Sequence, residues 1–339
     1  MRALTGVSLL GWLFAWQGLV GIQDSTLVQE GVTYRVDVRL VQVDAQVINK
    51  KTDQVAGSLR QDDLHVYEDG VQQQISTFSQ DELPLSVVLL VDLTDSVRPV
   101  LQALSQGAHQ ALQHLKPQDE VAVMVYSAST YLLQGFTTDR SRAAAAIEKA
   151  AHLGSPEAAF FNEAVFQAVT YLSAAKNPDS RRVILWFTDN VPNTPSAEVK
   201  ARAGRSLSGK ELHTEKQALE QLFRTGTVVC TLLKRSVISD QEEMRIRAEM
   251  AVDRRLNPPG DVHNYAQVTG GLVVESSDKT VPAKLAELID DLRLRYTLGY
   301  RPSVAKPQGT FCTIKVELAP EVKKLQKDLV VKARQGYYR

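Results

Sequence analysis

The chain has 339 residues, 44% of them hydrophobic and 23% charged, which makes it globular and long enough for two domains. Its 39 basic and 39 acidic side chains cancel, so neither a nucleic-acid surface nor a polybasic membrane patch is expected. Two cysteines, Cys230 and Cys312, stand far apart and in no metal-ligand spacing, which excludes a disulfide framework and a zinc site.

Residues 1–21 carry Arg2 and then an apolar segment through Leu9, Leu10, Trp12, Leu13 and Phe14. This is the pattern of a signal peptide. The small-residue cleavage rule is poorly met, with Leu19 and Gly21 the best pair, so an uncleaved N-terminal anchor is the alternative. Residues 33–48 alternate apolar and polar side chains, as a half-buried strand does, with a phase slip at Leu40 and Val41. Short strands are expected at 64–67 and 74–78, with Asp69-Gly70 as a hairpin signal. Together residues 30–80 read as an antiparallel flank.

The character changes at residues 85–92. Here an unbroken apolar run reads as the central strand of a parallel sheet covered on both faces. It ends in Asp92, followed by Thr94 and Ser96, with Pro99 allowed in the first turn of a helix over 97–116. Strands at 121–127 and 131–135 follow, then a helix at 140–152 capped by Thr138 and Asp139. A further helix is predicted at 157–175 and a second buried strand at 183–188, which ends in Asp189. A helix near 214–224, a strand at 227–233, a polar insertion from Ser236 to Asp261, a passage from helix to strand over 265–274 through Gly270-Gly271, and a helix at 281–295 continue the alternation. Alternating helices and strands predict an α/β fold, a Rossmann-like doubly wound and mostly parallel sheet over about 84–295. Residues 296–339 return to half-buried strands, at 295–300, 310–318 and 329–333, and are expected to pack with the N-terminal flank as one small β-rich module.

In such a sheet, ligands bind outside the carboxyl ends of the strands. Asp92, Thr94 and Ser96 are spaced to present three oxygen-bearing side chains together, and Asp189 is delivered to the same rim. A hard divalent cation requires donors of this kind. The six histidines form no ligand pair on one helical face, and no phosphate loop, nucleophile elbow or zinc-protease motif is present.

The stretch Asp92-Leu93-Thr94-Asp95-Ser96 resembles the Asp-x-Ser-x-Ser motif of the von Willebrand factor type A domain, with Thr94 at the first serine position. Further matches resemble the von Willebrand factor A-related proteins of acidobacteria: Asp63 to Gly70, Lys116 to Val123, Phe136-Thr137-Thr138-Asp139, Phe187-Thr188-Asp189, Tyr296 to Tyr300, and Gly336-Tyr337-Tyr338. The resemblance implies a Rossmann-like A domain with β-rich flanks and an exported location, and the favoured function is a non-enzymatic module of the protein-binding or adhesion type. It also implies a metal-ion-dependent adhesion site at Asp92, Thr94, Ser96 and Asp189, holding magnesium or manganese and open to a carboxylate from a partner protein.

The same resemblance exposes two departures. The threonine that usually supplies a further ligand falls at Ala159, and the glycine after the second aspartate is Asn190. Ser155 and Asn162 are the nearby oxygen-bearing substitutes. Metal binding is therefore expected to be weak, and a structural envelope protein with a vestigial metal site is the alternative function. A phosphotransferase with an aspartate nucleophile is disfavoured, because Thr94 stands where its second aspartate would be. The expected location is periplasmic, secreted, or tethered by an N-terminal anchor, with no other membrane contact.

Overall fold

The computed structural model describes residues 40–52, 54–80, 83–153, 159–191, 212–235 and 260–339, together with 239, 241, 244, 245 and 248. The N-terminal apolar segment, Ser155 and most of the polar insertion lie outside the described residues.

The N-terminal flank supplies strands β1 (Val41–Asn49), β2 (Leu64–Glu68), β3 (Val71–Gln73) and β4 (Ile75–Ser79). Asp69 and Gly70 both take positive φ, 49° and 81°, and Glu68 pairs with Val71 across them. That is the two-residue hairpin turn that the Asp-Gly pair signals.

Strand β5 (Leu85–Asp92) is buried at every position. A single 3-10 turn (Asp95–Val97) leads from it into α1 (Arg98–Leu112), which has Pro99 in its first turn. Then come β6 (Glu120–Tyr126), β7 (Thr130–Thr137) and α2 (Arg140–His152), whose cap Asp139 accepts from the Ser141 and Arg142 amides. Next are α3 (Phe161–Leu172), β8 (Arg181–Thr188) and α4 (Glu215–Thr225), with a capping box between Thr214 and Gln217. β9 (Val228–Lys234), α5 (Val262–Thr269), β10 (Val273–Ser276) and α6 (Val281–Asp291) complete this part.

The sheet order is β10-β9-β8-β5-β6-β7, with every pair parallel except β6 and β7. One face packs Val87, Leu89 and Val91 against α1, α2 and α6, and the other packs Val88, Leu90 and Trp186 against α3, α4 and α5. Removal of each such aliphatic side chain from water contributes about 1.5–3 kcal/mol. Burial on both faces explains why the central strands read as continuous apolar runs.

The tail supplies β11 (Tyr296–Tyr300), β12 (Phe311–Leu318), the short helix α7 (Pro320–Leu325), β13 (Leu329–Ala333) and β14 (Gly336–Tyr338). Two antiparallel sheets result, ordered β13-β1-β11-β4 and β14-β12-β2-β3. They share one apolar core that includes Val43, Val47, Val66, Leu298, Ile314 and Val316. Within it the Tyr300 and Tyr337 hydroxyls donate to Glu68 at 2.6 and 3.1 Å, so three separate sequence motifs meet at one carboxylate.

Three expectations need correction. The helix predicted to reach residue 295 ends at Asp291. Helix α7 interrupts a tail that reads as strands alone, its Pro320 fitting only the first helical turn. β11 is buried at all five positions rather than at alternate ones. The sandwich sheet turns its outer face near β1 and β11 toward the parallel sheet: Arg181, at the start of β8, ion-pairs with Asp44 at 2.9 Å, and Gln46 Nε2 donates to the Asp291 carbonyl at 2.9 Å. At the opening of β5, Asp119 accepts from the Leu85 and Lys116 amides and ion-pairs with Arg293, which gives the Lys116 to Asp119 motif an anchoring role.

Candidate metal centre

The register of β5 against β6 and β8 sets Asp92 opposite Tyr126 and Val91 opposite Phe187, so the carboxyl ends of the three strands form one rim. Asp92 is completely buried there. Its Oδ1 accepts from the Thr94 amide at 2.9 Å, and its Oδ2 accepts from the Thr188 hydroxyl at 2.8 Å and the Tyr126 hydroxyl at 3.1 Å. The chain after Thr94 curls into the 3-10 turn instead of staying extended, yet the Thr94 and Ser96 hydroxyls still lie 3.2 Å apart.

Asp189, just beyond β8, is also buried, and its Oδ1 accepts from the Val191 amide at 3.0 Å. Asn190 takes φ of 59°, the left-handed region that asparagine tolerates better than most residues, which lets it stand in the usual place of glycine. Its side chain reaches the N-terminus of α5, donating to Asp261 Oδ1 at 3.3 Å and accepting from the Val262 amide at 3.2 Å.

Burial and the neighbouring charge of Asp189 push the Asp92 carboxyl up to about 6, against the lowering effect of the bonds from Thr94 and Thr188. Among the described residues neither aspartate has an ion-pair partner. Two buried carboxylates near two adjacent hydroxyls bring together oxygen donors of the kind a hard cation takes.

Ala159 is buried in the apolar layer on the α3 side and offers no oxygen. The Asn162 Oδ1 accepts from the Tyr265 hydroxyl at 2.9 Å beneath Gly260. Asp95 is exposed and ion-pairs with Arg98, so it stands away from the place a phosphotransferase's second aspartate would take. Sequence reasoning missed Thr188 and Tyr126. Thr188 had a signal in its place before Asp189, whereas Tyr126 is recognised only once β6 is set in register with β5.

Elsewhere, Glu68, Asp69 and Cys312 bring ligand-type atoms within 4.8 Å of one another. Their charge is already met, since Lys306 ion-pairs with Asp69 and two tyrosines donate to Glu68. A cleft of about 1480 Å³ lies between β10, α6, β12 and β13, lined by Val274, Glu275, Asp291, Lys315 and Lys332, and none of the rim residues faces it.

The strand order and the rim define an α/β fold of the von Willebrand factor A type, and residues 87–191 match the family model described as von Willebrand factor type A domain. The chain therefore carries a von Willebrand factor type A domain, a class whose members generally act as interaction modules. No curated protein matches the chain. Among solved structures it is similar to an aerotolerance-related membrane protein from Bacteroides fragilis, at 14% identity and TM-score 0.38, over 61% of this chain and 98% of that one. It is also similar to BatB from Bacteroides thetaiotaomicron, at 15% identity and TM-score 0.37, over 61% and 99%. A von Willebrand factor type A protein from Catenulispora acidiphila shares 13% identity at TM-score 0.39, over 83% and 70%. The fold class rests on the strand order and the match over 87–191, not on these likenesses.

Proposed function

We propose that the protein is an exported, non-enzymatic binding module that holds a magnesium or manganese ion at the rim of its parallel sheet. Asp92, Thr94, Ser96 and Asp189 are the residues that would hold it, and the ion would leave a position for a carboxylate from a partner protein. The observation that carries this reading is the pair of buried aspartates beside two adjacent hydroxyls, with no cationic side chain described against either. The signal-peptide pattern of residues 1–21 supports export.

Magnesium demands near-octahedral geometry, so the missing oxygen at Ala159 leaves an additional position to water and weakens binding. The burial of Ala159 in an apolar layer favours one second reading, a structural envelope protein with a vestigial site. Titration calorimetry of the purified protein separates the two. Weak magnesium or manganese heat that is lost in Asp92→Ala and strengthened in Ala159→Thr supports the binding module. No heat in either the parent or Ala159→Thr leaves the structural reading.

A further inference from the structure

We propose that one end of the sandwich docks on a bilayer of anionic phospholipid, with Leu325 entering the acyl boundary and the lysines of that end meeting the headgroups. This contact is independent of the metal-site reading above. The basic and acidic residues of the chain cancel in number, 39 against 39, but their placement is uneven here.

Three segments meet at this end. Asn49, the last residue of β1, pairs with Leu329, the first of β13, so the turn at 50–52 lies beside the turn at 326–328. The Lys50 amide donates to the Asp328 carbonyl at 2.8 Å, and the Lys51 ammonium pairs with the Asp328 carboxylate at 2.8 Å. The six residues of α7 close the same end, and the Gln326 amide joins the helix to the second turn by donating to the Val322 carbonyl at 2.8 Å. Lys50, Lys51, Lys323, Lys324 and Lys327 are all exposed, and within 50–52 and 320–328 only Glu321 and Asp328 oppose them, five cations against two carboxylates. Asp328 is taken up by Lys51, and Glu317, which feels the charge of Lys323, is held by Lys315 at 2.7 Å.

Lysines alone would suit any polyanion, and the leucine among them selects the bilayer. Leu325 is 85% exposed, more than any other large apolar side chain among the described residues, and it stands in the sequence between Lys324 and Lys327. Val322, one turn earlier, packs against the sandwich core and holds α7 in place, whereas Leu325 ends the helix in water. A soluble polyanion offers an exposed leucine nothing. The acyl boundary of a bilayer removes it from water, and the lysines beside it lay their apolar stems along that boundary while their ammonium groups stay at the headgroups. Attraction to anionic headgroups strengthens binding about fivefold per lysine near the surface, and it weakens with salt.

The test is amide hydrogen exchange over residues 321–329 in the full chain, with vesicles of phosphatidylcholine alone and of equal parts phosphatidylcholine and phosphatidylglycerol. The neutral vesicles record whatever the apolar N-terminal segment does unaided. Protection of 321–329 is expected on the mixed vesicles only, and it should fade at high salt. The triple variant Lys323→Gln, Lys324→Gln, Lys327→Gln should dock about a hundredfold more weakly and lose that protection. Leu325→Ser should weaken docking about tenfold. All four side chains are exposed, and unchanged protection over Val43–Val47 verifies that the sandwich is intact in both variants. Equal exchange on the two kinds of vesicle, or protection that survives in the triple variant, overturns the proposal. So does equal protection by soluble polyglutamate that Leu325→Ser leaves untouched, which would assign the patch to an acidic protein instead.

Discussion

Asp92 is a stability liability in the metal-free protein, and the sign of its effect is fixed by the direction of its shift. A carboxyl held at about 6 in the fold against 3.8 when exposed is penalised in its charged form. The contribution of Asp92 is therefore most favourable below about pH 4, is lost as pH rises to about 6, and stays lower above that, by about 3 kcal/mol for a shift of this size, whereas carboxyls held low, such as Asp44, act in the opposite sense. Asp92→Asn should accordingly stabilise the metal-free protein by ~1–3 kcal/mol in urea unfolding at pH 7.5 and have little effect at pH 4. An asparagine variant that is less stable at both pH values would show that the hydrogen bonds of Asp92 outweigh its charge. At this scale the sequence made Asp92, Thr94, Ser96 and Asp189 legible, because an apolar run ending in oxygen donors is a local pattern. Tyr126 and Thr188 converge on Asp92 from two other strands, and no local pattern records that meeting.

Among the elements, the rim loop after β8 is tied to α5 by the Asn190 side chain. Asn190 holds a left-handed backbone and clamps the α5 N-terminus through both ends of its amide. Asn190→Ala should lose the clamp and strain the backbone, for about 2–3 kcal/mol in all, whereas Asn190→Gly keeps the conformation and should cost about half of that. Hydrogen exchange at Val262–Tyr265 is the direct measurement, and equal effects of alanine and glycine would mean that the left-handed turn is unstrained. The principal elements of the α/β part were readable because each strand and helix shows its own periodicity and caps. The exceptions were short or context-dependent. Six residues of α7 carry too little periodicity to register, and the burial of β11 depends on a neighbouring domain that its own five residues cannot reveal.

On the scale of the whole molecule, the two flanks are interleaved: β1 lies between β13 and β11, and β12 pairs with β2. Deleting residues 310–339 removes one side of β1 and the central partner of β2, so amide protection over Val41–Val47 should collapse, since the strands left behind cannot enclose a core. Unchanged exchange there would mean that β1 is held by β11 and the Arg181 contact alone. The sequence indicated that the flanks belong together, but not their alternating order, because strands paired across some 250 residues leave no mark in the intervening chain.

The neighbouring strands β4 and β11 have a mechanical consequence. Ser79, at the end of β4, lies opposite Thr297, near the start of β11, so the α/β domain leaves and rejoins the sandwich at one place. Tension applied between the two flanks is thus carried by the hydrogen bonds of the sandwich, loaded in shear, and the long excursion from Leu85 to Asp291 hangs outside the line of force. Tension applied at the rim runs through the central strands to the covalent links that join Ser79 to Leu85 and Asp291 to Tyr296, with the Arg181–Asp44 ion pair bridging beside them. Pulling on the two flanks should therefore strain the sandwich before it reaches the rim, which lies at the far, carboxyl ends of the central strands.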